Sequence, residues 1–257
     1  MPHPSLFTTV ISGYLPEPHA SLLNGILFGI PLKSAKDLHY ELQRVGLLHL
    51  VVLSGVNITL LASFVKIICA HFSRILSYLI VILVIILFVL FVGPQAPIVR
   101  TAIMTMCTYV GIMMGRRNLS LYSLIISFCV ILLIFPRWFS SISLYLSYGA
   151  TLGIILFAGK REEGVVGELK TSLAAQVFTV PIILFSFKQV SLISPLANIL
   201  VGFTVGPLMI FGFLAALLGK VHYELGIIPI YLCYGILSYM LYVITILSRI
   251  PFTFFQF

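Results

Sequence analysis

Charge is what this sequence has least of. Only 9% of its 257 residues are Asp, Glu, Lys or Arg, against about a quarter in an ordinary soluble domain. Acids are the scarcer sign, seven against fifteen Lys and Arg, which leaves a formal net charge of +8. Hydrophobic residues make up 60%. No soluble interior hides that much apolar surface, so lipid must cover part of it and a soluble globule is excluded. The positive excess has two readings: membrane anchoring and topology, or a polyanionic partner such as nucleic acid or anionic lipid.

Cysteine is also sparse. Cys69, Cys107, Cys129 and Cys233 stand alone in or near apolar segments. None has the CxxC or Cys/His spacing of a zinc site, so all four read as packing residues and no metal site is expected. The first ten residues carry His3 but no basic lead. No cleavable signal peptide is therefore expected, and the first spans would serve as insertion signals.

What the sequence has is long uncharged intervals. They run from Arg44 to Lys66, Arg74 to Arg100, Arg117 to Arg137, Arg137 to Lys160, Lys170 to Lys188, Lys188 to Lys220, and Glu224 to Arg249. A spanning helix needs about 20 apolar residues. With Pro97 to Gly115 added, where Arg100 would lie near an interface, the pattern predicts an all-α, polytopic membrane bundle. About eight transmembrane helices are expected, near 45–70, 75–93, 97–115, 119–135, 139–158, 165–187, 191–219 and 226–249. The 191–219 stretch holds Pro195, Gly202, Gly206, Pro207 and Gly212, so a broken or re-entrant helix is expected there. Residues 18–32, bounded by Pro18 and Pro31, are too short to span and read as an interfacial amphipathic helix. Residues 33–44 are the most polar segment. The chain thus divides into a lead-in, 1–44, and a membrane domain, 45–257. Lys and Arg counts in the connectors favour an N-terminus on the outer side.

Polar residues inside spans are costly and therefore informative. The densest group is His49, Ser54, Gly55, Asn57 and Thr59 in GLLHLVVLSGVNITLL. Gly55 weakens a helix, and Ser54 and Asn57 can bond carbonyls freed by a break. The group is either a helix contact with small residues and polar glue or the lining of a path. Arg100 either snorkels to headgroups or faces a wet interior, where it pairs with a phosphate. Gln176 bridges helices or lines a path, and Pro181 kinks its helix. Asn198 is placed to cap the expected break in 191–219. Most Tyr and Phe near helix ends read as interface belts, and aromatics beside a basic path would stack bases, though linear sequence does not say which ones line a path.

Read in order, these groups resemble the transmembrane competence domain of the ComEC family of DNA-internalisation proteins. The carriers are GLLHLVVLSG, APIVRTAIM followed by MMGRRN, ILLIFP, LYLSYGATLG, SLAAQVFTVP, FKQVS, SPLANILVGFTVGPL and SRIPF. Together they cover roughly residues 15–252. Two positions depart from the family pattern. Asn57 stands where members often have His, and Tyr145 replaces the Gln of a GFQLSF-like block. The OB-like and metallo-β-lactamase-like companion domains of many members are not in this sequence, and no HxHxDH or Walker motif occurs in it.

The resemblance implies a channel in the cytoplasmic membrane that carries single-stranded DNA inward during natural transformation. The chain itself is expected to be non-enzymatic and without a cofactor. Its implied partners are single-stranded DNA, membrane lipids, a separate motor or helicase, and a separate nuclease domain. Path or hinge candidates are His49, Ser54, Gly55, Asn57, Arg100, Gln176, Pro181 and Asn198. Basic candidates at the pore mouth are Arg116, Arg117 and Lys188. One rival is a small-solute or lipid transporter, which uses the same broken helices and buried polar groups. Another is an intramembrane serine protease built on Ser54 and His49. On one continuous helix those two lie about 140° apart, which is poor geometry for a dyad.

Overall fold

The computed structural model describes residues 5–32, 36–51, 54–115, 120–159, 164–250 and 254–256. Helices dominate: α1 Ser5–Tyr14, α2 His19–Phe28, α3 Lys36–Val45, α4 Leu48–Val51, α5 Gly55–Ile68, α6 Arg74–Val92, α7 Ala96–Met113, α8 Ser120–Ile134, α9 Ile142–Phe157, α10 Val165–Phe187, α11 Ser194–Val221 and α12 Tyr223–Ser248. Two three-residue strands, β1 Gln189–Ser191 and β2 Phe254–Gln256, pair antiparallel with Val190 opposite Phe255. Among the described residues five helices are long and apolar enough to cross a membrane: α6, α7, α10, α11 and α12. Shorter apolar helices correspond to the spans expected near 45–70, 119–135 and 139–158.

The chain forms two compact units, one of residues 1–53 with 187–257 and one of 54–186. In the first, α11 and α12 lie against each other. Buried residues of α12 recur as Gly226, Ile230, Cys233, Leu237, Met240, Ile244 and Leu247. That alternation of four and three is a heptad seam, the spacing that keeps one stripe facing a neighbouring helix. Helix α11 buries Ala197, Val201, Val205, Leu208, Gly212 and Ala215. Glycines set the closest approaches. A Cβ at Gly212 would come 2.8 Å from Leu27 of α2, and one at Gly219 would come 2.7 Å from the Tyr14 hydroxyl of α1.

Two expectations for this unit are corrected. Residues 194–221 form one helix and not a broken one. Gly212 and Gly219 mark close contacts, whereas Gly202 faces open space. Thr204 Oγ1 donates to the Val201 carbonyl at 2.6 Å, and Tyr239 of α12 donates to that of Leu200 at 3.1 Å. Helix α2 is not an amphipathic surface helix either. It buries Ala20 and Leu22 through Phe28 on every face. The amphipathic element is α3, which turns Leu38, Leu42 and Val45 inward. It ties to α12 through Thr245 Oγ1, which donates to Glu41 Oε2 at 2.9 Å. The lead-in therefore packs with the C-terminal helices.

The second unit holds α5 to α10. Its α6 buries Ser77, Val81, Ile85 and Phe88 and exposes Leu79, Leu83, Leu87 and Leu90 on the other side. A leucine face of that length is a lipid face. Ala96, Ile131 and Leu144 form a small core, covered by Val99, Ile103, Trp138 and Tyr148. Helix α9 crosses α10 through Gly149 and Gly153, a small-xxx-small pair. A Cβ at Gly149 would sit 3.3 Å from Phe178, and one at Gly153 would overlap the Ala174 carbonyl oxygen. Cys69 and Cys233 are buried, Cys129 is exposed, and all four cysteines are free thiols.

Replacing Gly153 by Ala should cost about 1–3 kcal/mol through overpacking. Gly202→Ala, where the added methyl meets open space, should be nearly neutral. Thermal unfolding of the two purified variants in detergent makes the comparison. Equal melting temperatures would show that the α9–α10 crossing is not tight.

Candidate functional site

Two polar clusters form, one in each unit. In the second unit the helix expected over 45–70 is interrupted. Helix α4 ends at Val51, Ser54 has extended backbone with φ −105° and ψ 166°, and α5 starts at Gly55. The break thus lies at the Ser-Gly step, where Gly55 was expected to weaken the helix, and not in 191–219. Ser54 Oγ donates to Asn57 Oδ1 at 3.3 Å, and the Asn57 amide donates to the Ser54 carbonyl at 3.2 Å. Asn57 is 1% exposed. The side chain of Ser54 bonds forward to Asn57 while its carbonyl takes up the Asn57 amide, so the first turn of α5 closes on itself.

The absence of a side chain at Gly55 lets α7 approach. A Cβ there would lie 3.0 Å from a terminal nitrogen of Arg100 and would overlap the Thr101 hydroxyl. Arg100 is 8% exposed, so it does not snorkel to a surface. One terminal nitrogen donates to Thr151 Oγ1 of α9, and the other to Thr101 Oγ1 at 3.0 Å. Both hydroxyls donate onward to carbonyls of their own helices, Thr151 to Ser147 and Thr101 to Pro97, each at 3.0 Å. Their lone pairs are thereby turned to the guanidinium. The Met104 sulfur accepts at 3.6 Å. The Tyr148 ring centroid lies 5.9 Å from the guanidinium carbon, within cation–π range. Tyr148 is itself fixed by a 2.9 Å hydrogen bond to Ser127. Nε of Arg100 is buried without a partner. Its contacts among the described residues, Thr101, Thr151, Met104 and Tyr148, are all neutral.

The first unit holds the other cluster. Gly46 has φ 77°, in the left-handed region, and a Cβ there would come 2.7 Å from Ser194. The Gly46 carbonyl accepts from His49 Nδ1 at 3.1 Å, so Nδ1 carries the ring proton. The His49 ring also bonds the Asn198 side chain. Ser191 Oγ donates to the Arg44 carbonyl at 2.7 Å, which anchors the start of this turn to β1.

The sequence candidates therefore sort by place. Ser54, Gly55, Asn57 and Arg100 gather in one unit, while His49 meets Asn198 in the other. Asn198 is in the second turn of an unbroken helix, so it caps no break. Gln176 and Pro181 lie in neither cluster. The face of α10 toward α9 is Ala174, Phe178 and Ile182, and Gln176 is about 200° round the helix from Ala174. Lys188 is exposed with φ 53° just before β1. Arg116 and Arg117 lie outside the described residues. Sequence reasoning missed Thr101, Thr151, Tyr148 and Ser127. The available signal was Tyr148 and Thr151 three residues apart on one helix face.

Residues 26–257 match the family described as Competence protein. The chain belongs to that family. Its similarity extends to ComE operon protein 3 of Bacillus subtilis (strain 168), 25% identical over 191 residues, which is 72% of this chain and 25% of that protein. The chain thus spans about a quarter of the length of this curated relative. No solved structure matches it. The competence-family match takes in both clusters, from Arg44 through Asn198.

Thr151→Val should destabilise by about 1.5–3 kcal/mol, because it removes an acceptor from a buried charged donor, whereas Thr151→Ser should retain most of the stability. Denaturant titration in detergent reads the difference. Equal losses for Val and Ser would mean that the methyl group, not the hydroxyl, matters.

Proposed function

We propose that this chain forms a membrane path for single-stranded DNA in natural transformation. The observation that carries the reading is the Arg100 guanidinium. It is buried inside a helix long and apolar enough to span, held by neutral hydroxyls, and left with an unpartnered Nε. A charge in a span costs about 2.5–3.5 kcal/mol on insertion scales. Such a cost is retained where the charge serves a ligand, and a phosphodiester is the anion that family membership suggests. A polyanion needs a wet path whose contacts are weak and spread out, so that the strand keeps moving. Counting the shorter helices α5, α8 and α9 as spans would bring the number to about eight, in the cytoplasmic membrane. A motor or helicase and a nuclease would act from separate chains or domains.

Deleting the gene in a transformable host should leave DNA bound at the surface and stop its arrival in the cytoplasm. Arg100→Gln should lower transfer by about tenfold, equivalent to about 1.4 kcal/mol, with normal protein levels in the membrane. Unchanged transformation in the deletion strain sinks the reading. Flux of uncharged solutes that persists without any DNA transfer would assign the chain to small-solute transport instead.

A further inference from the structure

A second feature lies apart from Arg100, within the first unit. The start of α12 and the end of α1 enclose a cavity of about 340 Å³ walled by Tyr14, Tyr223, Tyr231, Tyr234, Leu15 and Ile227. That volume is within the range of small-molecule sites. Two stacked pairs flank it. Tyr14 stacks on Tyr223 at 4.5 Å between centroids and 17° between planes, and donates from its hydroxyl to the Tyr223 carbonyl. Tyr234 stacks on His19 at 4.7 Å and 24°, and His19 is fixed by Ser238 at 3.1 Å. The free ring is Tyr231, 70% exposed.

Interfacial anchoring accounts for tyrosines at helix ends, and Tyr223 fits that. It does not account for Tyr231 and Tyr234, which stand about 12 and 17 Å along α12. Lys220, whose Nζ lies 4.9 Å from the Phe7 ring centroid, places a positive charge three residues before Tyr223. Glu224 directly follows Tyr223, so the charges near the slot are of both signs, and it is the aromatic lining itself that suits a flat heterocycle.

We propose that this cavity is a nucleobase-stacking site, with Tyr231 as the platform. The inference rests on the DNA reading above and specifies a contact that Arg100 cannot provide. Every base has a π-face, so the site would take any base, and the backbone phosphate would remain outside it.

The test uses the full chain in nanodiscs and fluorescence anisotropy with two labelled probes: an oligothymidylate and an abasic oligomer of equal length and charge. Wild type should bind the oligothymidylate more tightly. Tyr231→Ala should weaken that binding by roughly five- to a hundredfold and leave the abasic oligomer unaffected. Tyr231→Phe should behave as wild type. Equal wild-type affinity for both probes overturns base stacking while leaving the DNA path intact. A loss in Tyr231→Ala that is the same on both probes, or no loss on either, also overturns it. A wild-type chain that binds neither probe removes the DNA reading and this inference together. Because Tyr231 is exposed, its truncation opens no core cavity, and unfolding temperatures confirm that each variant is folded.

Discussion

The guanidinium of Arg100 is the most expensive group this chain buries, and the elements of its unit are arranged to hold it. Glycine at 55 lets α5 come close enough to shield it. Threonines from α7 and α9 meet its two terminal nitrogens. Tyr148 covers it with a ring that Ser127 locks in place. Below them the Ala96, Ile131 and Leu144 core keeps α7, α8 and α9 in contact. Take away the charge and the Ser-Gly break, the small residue at 55 and the hydroxyl pair on α7 and α9 lose their common reason.

Helix positions were legible because charge is so rare that each Lys or Arg marks a boundary. The interval from Lys170 to Lys188 predicted 165–187, and α10 occupies Val165–Phe187. The helix expected at 75–93 is α6, Arg74–Val92. Of the two places where a break was expected, the Ser-Gly step holds one and 191–219 does not, because glycine has two meanings that linear sequence does not separate. At Gly212 and Gly219 the missing side chain admits a neighbouring helix, whereas at Gly55 it both admits α7 and begins a new helix after the extended Ser54. Helix α2 was misread for a related reason. Its apolar run is too short to span, which suggested a surface helix, yet neighbours bury it on all sides.

The site was half legible. A lone arginine in an apolar run announces itself. Its partners do not, since Thr101 and Thr151 are unremarkable in a helix, where threonine ordinarily bonds a carbonyl one turn back. Both do so here, and their second role is accepting from Arg100, which for Thr151 depends on a contact between residues 51 positions apart.

The choice of hydroxyls over carboxylates has a functional logic. An aspartate beside Arg100 would cancel the charge and form a pair whose removal is costly. Threonine oxygens position the same guanidinium yet leave its full positive charge uncompensated. A moving polyanion under the proposed function meets a fixed, oriented cation that it can bind briefly and leave, because no resident anion has to be displaced first. Under the same proposal a tyrosine slot would work by a similar restraint, since every base has a π-face and stacking gives each a modest, sequence-tolerant foothold.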